Sequence, residues 1–348
     1  MNIRFALVGC GRIASKHVEA IKQNNSKASL VAVCDIDISK AQAIGSKEHI
    51  PFYTNFNEML EKHPEIDVVS ILTESGNHAK HAIEIVSKHK KHIVVEKPMA
   101  LKLSDADDMI RVCDEQGVKL FVVKQNRFNL PVIELRKALE EGKFGKLVMG
   151  TVRVRWSRNQ QYYDADSWRG TWALDGGVFT NQASHHIDLL EWMLGEPVSV
   201  FAKSRTALVD IETEDTGVAV ITFANGAIGI VEATTAVRPK DLEGSLSILG
   251  EKGSVVIGGF AVNDLQTWNF VDNTESKTST EIPPNVYGFG HARYIENVCD
   301  NLQHNQKALV DGLEGRKSLE LINAIYESIE TGNEVFLKFN PSHSKLGK

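Results

Sequence analysis

The first 125 residues alternate short apolar runs with amphipathic helical patterns, and this alternation constrains the fold more than any other feature. The runs are nearly continuous and rich in β-branched residues, so each predicts a strand that is buried on both faces. Such strands, separated by helices, predict a parallel sheet covered by right-handed crossovers. The predicted strands are Ile3–Val8, Leu30–Cys34, Val68–Leu72, His92–Val95 and Leu120–Val123, and the helices include Ala14–Gln23, Asn77–Ser87 and Ser104–Glu115.

The pattern changes after a predicted helix at 131–142. From Leu147 to Trp156 apolar and polar residues alternate, which predicts a half-buried antiparallel strand. Asn225 and Gly226 separate two further strand patterns and predict a type I′ hairpin. The turn at 251–253 predicts another hairpin, and helical patterns at 292–302 and 318–329 close the chain. We therefore predict an α/β protein with a Rossmann domain at 1–125, followed by an α+β domain at 126–348 with an open, mostly antiparallel sheet.

Composition excludes several classes of protein. Lys plus Arg number 39 and Asp plus Glu 45, for a net charge of −6, which offers no footprint for nucleic acid. The longest run without a charged residue or histidine, 216–231, is too short and too polar to span a membrane. The amino terminus lacks a secretory pattern, and the four cysteines lie far apart. These features favour a cytoplasmic protein without disulfides.

A glycine-rich turn follows the first predicted strand. Gly9, Gly11 and Ala14 form a GxGxxA motif, in which the first glycine permits a tight turn and the second admits a pyrophosphate to the backbone. Asp35 ends the second strand about 20 residues later, where a carboxylate can bind the adenosine ribose hydroxyls. That carboxylate would repel a 2′-phosphate, so we predict NAD rather than NADP. Arg12 lies inside the turn and could touch the pyrophosphate, or could equally be an exposed residue.

Two more motifs carry a family resemblance. Glu96, Lys97 and Pro98 follow the fifth strand, and Gly176 and Gly177 precede a segment with Asn181 and His185. Together with GxGxxA, these resemble the glucose-fructose oxidoreductase, inositol dehydrogenase and MocA-like family, over nearly the whole chain. Asn181 stands where that family has Asp. The segments WSRN, YYDADSWRG and TNQASHHID, at 156–159, 162–170 and 180–188, resemble the branch that oxidises UDP-N-acetylglucosaminuronate to its 3-keto sugar in surface polysaccharide (O-antigen, lipopolysaccharide) synthesis.

The resemblance implies a hydride transfer from a secondary alcohol, which needs a base for the hydroxyl proton. Lys97 and His185 are the predicted catalytic pair. An imidazole titrates near pH 6.5 and a lysine near 10.4, which favours His185 as the base and Lys97 as a hydrogen-bond donor to the alcohol oxygen. Asn181, however, supplies no negative charge to stabilise a protonated imidazole, which argues against His185 as the base. Which of Lys97 and His185 takes the proton, and in what order they act, therefore stays open. We expect Asn181, His185 and Asp188 to share one helix face, with His186 in a structural role.

The resemblance also implies ligand contacts. Glu96 would contact the nicotinamide ribose, His78 would lie beside the cofactor, and Asn126 and Arg127 would lie near the nicotinamide. The predicted cofactor-binding residues are Gly9, Gly11, Arg12, Ile13, Ala14, Asp35, Thr73, Asn77, His78, Glu96, Lys97, Asn126, Trp168 and Arg169. The predicted substrate-binding residues are Lys97, Arg158, Asn159, Asn181, Ser184, His185 and Tyr287.

No metal is expected, because the histidines and lysines of 78–92 lack completing carboxylate or thiol ligands and look like a solvated helix end. Expected partners are a UDP-sugar acid, 2-oxoglutarate as a possible hydride acceptor, and copies of the chain in a homotetramer. Two alternatives remain: an NAD-dependent inositol or hexose dehydrogenase of the same family, and a non-catalytic dinucleotide- or sugar-sensing repressor. The presence of both Lys97 and His185 disfavours the repressor.

Overall fold

The apolar runs of the first 124 residues form a six-stranded parallel sheet, as predicted. The computed structural model describes residues 2–276 and 289–348. The strands are β1 Ile3–Val8, β2 Ala28–Cys34, β3 Phe52–Tyr53, β4 Val68–Ile71, β5 His92–Val95 and β6 Leu120–Val122, and the helices between them are α1 Ala14–Gln23, α2 Ile38–Glu48, α3 Phe56–Lys62, α4 His78–His89 and α5 Leu103–Gln116. The strand order is β3-β2-β1-β4-β5-β6. From β1, the strands β2 and β3 lie on one side, and β4, β5 and β6 lie on the other. Ligands of such sheets bind at the carboxyl ends of the strands, near the point between β1 and β4 where the strand order changes direction.

The later part of the chain forms an eight-stranded mixed sheet. Its strands are β7 Leu147–Arg155, β8 Pro197–Arg205, β9 Thr216–Phe223, β10 Ile228–Thr234, β11 Glu243–Gly250, β12 Gly253–Gly258, β13 Asp264–Phe270 and β14 Val335–Phe336, and the helices are α6 Leu130–Glu140, α7 Gln160–Asp164, α8 Ser184–Leu194, α9 Gly290–His304 and α10 Gly312–Thr331. The order is β13-β12-β11-β7-β10-β9-β8-β14. α8 packs on one face of this sheet, against β7, β11 and β10.

Two local predictions for this sheet need correction. β7 pairs antiparallel with β11 but parallel with β10, because alternation of apolar residues reports a buried face and not the direction of the neighbours. The turn between β9 and β10 is not type I′. Gly226 has a positive φ of 85° and Asn225 does not, while the Asn225 side chain accepts from Ala227 N at 3.0 Å. The hairpin itself is confirmed.

The chain divides into two compact units. The first contains Met1–Lys124 and His291–Arg316, and the second contains Gln125–Gly290 and Lys317–Lys348. The predicted boundary near residue 125 therefore differs in one respect, because most of α9 and the first turn of α10 belong with the parallel sheet. The buried side chains of α9 include Tyr294, Ile295 and Val298. Burial of these groups explains why this segment belongs to the first unit, although the residues directly before it belong to the second. No helix in the described residues is long and apolar enough to cross a membrane.

Candidate active site

The glycine turn of the first unit is shaped for a dinucleotide. Gly9 has a φ of 101°, and a Cβ there would lie 2.6 Å from the carbonyl carbon of Leu72. A Cβ on Gly11 would instead meet nothing within 4 Å, so backbone at this position is open to a ligand. Ala14 begins α1 with no exposed surface, and no side chain caps that helix. The turn and the uncapped helix start thus fit a pyrophosphate. Ile13 is half-buried beside them, and Arg12 is exposed.

Asp35 is held in place at the end of β2 by two backbone donors. Its Oδ2 accepts from Cys10 N at 2.7 Å, and its Oδ1 accepts from Asp37 N at 2.8 Å. A carboxylate offers about four acceptor positions, so the half-buried Asp35 keeps capacity for ribose hydroxyls. The residues of the turn and Asp35 together fit NAD, which supplies the hydride acceptor when it is bound.

The loop after β4 is fixed by His78, whose role differs from the predicted one. The imidazole is buried, with Nδ1 2.8 Å from Pro98 O and Nε2 3.0 Å from Thr73 O. Burial lowers the pKa of His78, against the raising effect of these two carbonyls. The ring thus ties two loops together and does not offer a nitrogen to a cofactor. Thr73 and Asn77, also predicted cofactor ligands, are half-buried and bond to His81 and Glu74 respectively.

Glu96 ends β5 with a buried carboxylate that serves the protein itself. Oε1 lies 2.9 Å from His17 Nε2 and 3.8 Å from His291 Nε2, and Oε2 accepts from Lys97 N at 3.1 Å. Burial opposes ionisation, but the hydrogen bonds from the two imidazoles hold the pKa of Glu96 well below its usual range. Glu96 thus holds the backbone of half-buried Lys97, and because a carboxylate has about four acceptor positions, its ribose contact stays a prediction.

His17, Glu96 and His291 are also the one group among residues 2–276 and 289–348 whose ligand atoms lie close enough to hold a metal ion. The separation of 2.9 Å between His17 and Glu96 is that of a charge-assisted hydrogen bond. Sequence analysis did not anticipate this cluster, because its members are 79 or more residues apart and follow no metal-ligand spacing.

In the second unit, a short 3₁₀ segment at Gln125–Phe128 orients the predicted base. Gln125 Nε2 lies 3.0 Å from His185 Nε2, and both side chains are buried. Arg127 makes a bidentate ion pair with Asp188, at 2.8 Å for both bonds, and stacks on Trp192. This buried pair gives Arg127 a partner within the protein, and its place near the nicotinamide stays a prediction.

Gln125 is a functional residue that sequence reasoning passed over. It directly precedes Asn126 and Arg127, which are predicted to lie near the nicotinamide. Only the fold brings it to His185. Its neighbour Asn126 is buried, and Oδ1 of Asn126 has no hydrogen-bond partner within the described residues. A buried acceptor of this kind suits the amide of a nicotinamide.

Asn181 does not share a regular helix with His185, contrary to prediction. It lies in a π-helical segment, Val178–Gln182, and α8 starts only at Ser184. The amide of Asn181 donates to Asp175 Oδ1, and its own Oδ1 accepts from Gln182 at 2.7 Å. The family has an Asp at the position of Asn181. In this protein the carboxylate beside that position belongs to Asp175.

Arg158, predicted to bind substrate, and Arg169, predicted to bind the cofactor, form a cluster with aromatic rings. Arg169 stacks on Tyr162 and Trp168 at 4.6 and 4.5 Å and bonds to Asp166 and the Tyr162 hydroxyl. Arg158 lies over Tyr162 at 5.4 Å and pairs with Asp241 at 2.9 Å. Each guanidinium is thus paired with an aspartate, so the cluster carries little net charge, and what it offers a ligand is a fixed set of aromatic rings and guanidinium donors.

Three further residues are predicted to contact substrate. Asn159 is exposed and caps α7 by accepting from Tyr162 N at 3.1 Å. Ser184 has no exposed surface, and its buried Oγ has no hydrogen-bond partner within the described residues, so its contact with substrate stays a prediction. Tyr287 lies outside the described residues. His186 is fully buried with its ring edge-on to Trp156, and burial lowers its pKa to about 4, as expected for a structural histidine.

Two family models match this chain. Residues 3–124 match "Oxidoreductase family, NAD-binding Rossmann fold", and residues 136–337 match "Oxidoreductase family, C-terminal alpha/beta domain". Among curated proteins, myo-inositol 2-dehydrogenase of Thermotoga maritima is 27% identical over 97% of this chain and 99% of its own length.

Solved structures include closer relatives. The WlbA dehydrogenase of Bordetella pertussis, in complex with NADH and UDP-GlcNAcA, is 42% identical, with a TM-score of 0.89 over 98% of this chain and 100% of that one. The WlbA dehydrogenase of Chromobacterium violaceum, in complex with the same two ligands, is also 42% identical, with a TM-score of 0.89 over 97% of each chain. With both halves matched and the dinucleotide turn in place, this chain belongs to the Gfo/Idh/MocA family and is an NAD-dependent oxidoreductase acting on sugar or polyol hydroxyl groups.

Proposed function

We propose that this enzyme oxidises the C3 hydroxyl of UDP-N-acetylglucosaminuronate to the 3-keto sugar, in the synthesis of a surface polysaccharide. The observation that carries the proposal is the 42% identity over almost the entire chain to a dehydrogenase solved with NADH and UDP-GlcNAcA. The cluster around Arg158, Arg169 and Tyr162 supports it, because a nucleotide-sugar acid brings about three negative charges that guanidinium donors can bind.

His185 is the proposed base for the hydroxyl proton. The Gln125 amide lies 3.0 Å from its Nε2, so the orientation of the imidazole is set before substrate arrives. For the ring to act as base, the Gln125 oxygen would accept from Nε2–H, and the Nδ1 lone pair would take the hydroxyl proton. Lys97 is the proposed donor to the alcohol oxygen, which carries increasing negative charge as the hydride leaves. Glu96 fixes the backbone of Lys97 by accepting from its N–H. A lysine titrates near 10.4 in water and an imidazole near 6.5, which supports assigning the base to His185.

The test is reduction of NAD, followed at 340 nm, with UDP-N-acetylglucosaminuronate and with matched controls. UDP-N-acetylglucosamine lacks the carboxylate, free N-acetylglucosaminuronate lacks the nucleotide, and myo-inositol and D-glucose lack both. We expect turnover with the first compound at least a hundredfold above the others in kcat/KM. Comparable rates with the free polyols would contradict the proposal.

A second candidate is an inositol or hexose dehydrogenase. Its support is the 27% identity to myo-inositol 2-dehydrogenase over nearly the full length of both proteins. The panel above separates the two, because only this alternative gives turnover of free polyols that UDP does not inhibit.

We also propose that 2-oxoglutarate can reoxidise the reduced cofactor while it stays bound. Enzyme reduced by substrate and freed of excess substrate should lose its absorbance at 340 nm when 2-oxoglutarate is added, and 2-hydroxyglutarate should appear. Loss of absorbance only after exchange with free NAD would contradict this step.

A further inference from the structure

Four consecutive residues at 177–180, three residues before the start of α8, are held by two residues that are far away in sequence. Glu214 holds the middle two. Its backbone carbonyl accepts from Val178 N at 3.0 Å, and its Oε1 accepts from Phe179 N at 3.2 Å. Tyr326 holds the outer two, with its hydroxyl accepting from Gly177 N at 3.1 Å and from Thr180 Oγ1 at 3.0 Å.

The two anchors are themselves joined. The Tyr326 hydroxyl donates to Glu214 Oε1 at 2.8 Å, so one hydroxyl makes three hydrogen bonds and one carboxylate oxygen accepts two. Tyr326 has no exposed surface, and Glu214 is 4% exposed. In a buried site each of these bonds is strong, and the loss of one leaves its partners unsatisfied.

The glycine pair of the family resemblance gains a physical reason from this arrangement. A Cβ at Gly177 would lie only 2.1 Å from the carboxyl carbon of Glu214, so the carboxyl group occupies the space that any side chain at 177 would need. Gly177 is therefore required by the anchor and not by a left-handed backbone, since its φ is −101°.

The anchored segment leads straight to the predicted site residues. It forms the start of the π-helical turn that carries Asn181, and Ala183 N closes this turn by donating to Val178 O at 2.8 Å. α8 then begins at Ser184, with His185 as its second residue. The position of His185 along and around the helix axis follows from where this turn is held.

We propose that Glu214 and Tyr326 are positioning residues for His185, acting through the segment at 177–183 and touching neither substrate nor cofactor. The importance of His185 rests on the proposed function. The arrangement of the segment rests only on the hydrogen bonds above.

The ionisation of Glu214 makes its positioning role measurable as a dependence of kcat on pH, which packing alone would not produce. Burial raises the pKa of Glu214 to about 7, the bonds from Tyr326 and Phe179 N lower it, and the Asp175 carboxylate raises it. Tyr326 and Asp175 are the titratable groups that face it, and its buried Oε2 has no hydrogen-bond partner among the described residues. Above neutral pH a second negative charge develops beside Asp175, which holds Asn181.

The experiment compares Tyr326→Phe and Glu214→Gln with Ser328→Ala in the NAD-bound enzyme. Ser328 lies on the same helix, is also buried, and bonds to Ala202 N and Asn333 O, remote from the anchored segment. We expect Tyr326→Phe to lower kcat at least tenfold with the Kd for NAD unchanged. Ser328→Ala should lower the thermal midpoint and leave kcat within twofold.

Glu214→Gln keeps an oxygen for Tyr326 and Phe179 N but does not titrate. We expect wild-type kcat at pH 6, and a ratio of variant to wild-type kcat that rises between pH 6 and pH 8. Glu214→Ala should lose activity at both pH values. A ratio that stays constant with pH would overturn the part of the proposal that concerns Glu214.

A second measurement needs no turnover. In enzyme labelled with ¹⁵N-histidine, the ring signals of His185, assigned with His185→Gln, should shift in Tyr326→Phe and not in Ser328→Ala. If that shift occurs while no sugar of the panel is oxidised, the proposed function fails and the positioning role stands. If Tyr326→Phe matches Ser328→Ala in both kcat and the His185 signal, the positioning role is overturned.

Discussion

At the scale of single residues, Lys97 lies directly after the end of β5, next to the buried carboxylate of Glu96. Glu96 holds its backbone, and the lysine is half-buried where β5 ends. We expect Lys97→Ala to lower turnover at least a hundredfold and to leave the Kd for NAD within a few-fold, because the lost bond forms to the reacting oxygen. Lys102→Ala, which removes a half-buried lysine before α5, is the control. Unchanged turnover in Lys97→Ala would remove this residue from the mechanism.

Asp35 should decide between the two nicotinamide cofactors. A carboxylate fixed by Cys10 N and Asp37 N accepts from ribose hydroxyls and repels a 2′-phosphate by about 4 kcal/mol per pair of unit charges at 4 Å. We expect Asp35→Ala to lower the preference for NAD over NADP at least tenfold, measured as the ratio of the two Kd values. Asp37→Ser removes a neighbouring charge and keeps an oxygen to cap α2, so its ratio should stay near that of wild type.

At the scale of elements, the β1–α1 turn offers a matched pair of glycines. A Cβ at Gly9 would overlap the backbone of Leu72, and Gly9 also has a positive φ. We expect Gly9→Ala to destabilise the protein by a few kcal/mol or to prevent folding. Gly11→Ala meets open space, so its thermal midpoint should match wild type while NAD binds at least tenfold more weakly. Equal affinity in Gly11→Ala would contradict a pyrophosphate at this turn.

The segment before α8 should make stability depend on pH. The pKa of Glu214 is about 7 when folded against about 4.5 when unfolded, so the native state binds the extra proton between these values. Stability from this group is complete below pH 4.5 and is lost as pH rises to 7, by about 3 kcal/mol. We expect the thermal midpoint of Glu214→Gln, relative to wild type, to rise between pH 5 and pH 8.

Glu327 provides the control of opposite sign. Its carboxylate is partly buried, which opposes ionisation, but bonds from His343, Ser344 and Ser342 lower its pKa to about 2. Its contribution is complete above pH 4.5 and is lost only at more acidic pH. The carboxyl of Glu327 does not itself titrate from pH 5 to pH 8, and the pH dependence that its contact with the exposed His343 imidazole adds is small, so the difference in midpoint between Glu327→Gln and wild type should change far less than that of Glu214→Gln. An equal slope in the two variants would show that the carboxyl of Glu214 is not the source of the effect.

At the scale of the whole molecule, the exposed face of the eight-stranded sheet is apolar over three strands. Phe201, Val218, Val220 and Ile228 are 40–47% exposed, and Phe201 lies opposite Val220. Arg155 and Glu232 are paired on the neighbouring strands. An apolar row of this kind, beside charges of both signs, suits pairing with a second copy across a two-fold axis.

The family resemblance implies a homotetramer, and we expect this sheet face to be one of its interfaces. Val220→Glu should reduce the mass measured by light scattering after size exclusion, while Val271→Glu, after β13 and 74% exposed, should not. A tetramer that persists in Val220→Glu would exclude this face as an interface.

The sequence by itself determined the parts that depend on local order along the chain. Buried parallel strands and the GxGxxA turn follow from spacing and residue type, so β1, α1 and β5 match their predicted bounds. The short β3 and the helices α2 and α3 were not predicted, although Asp37 and Asn55 cap those helices. Their patterns are too brief or too polar to stand out against loops.

Only the tertiary structure decided which partners each polar group finds. His17 to Glu96, Gln125 to His185 and Tyr326 to Glu214 join residues 60 or more positions apart, and no periodicity encodes such pairs. The same holds for the parallel pairing of β7 with β10 and for Asp175 beside Asn181. Local sequence patterns indicate which apolar side chains are buried, whereas the hydrogen bonds of buried polar groups depend on which segments the fold brings together.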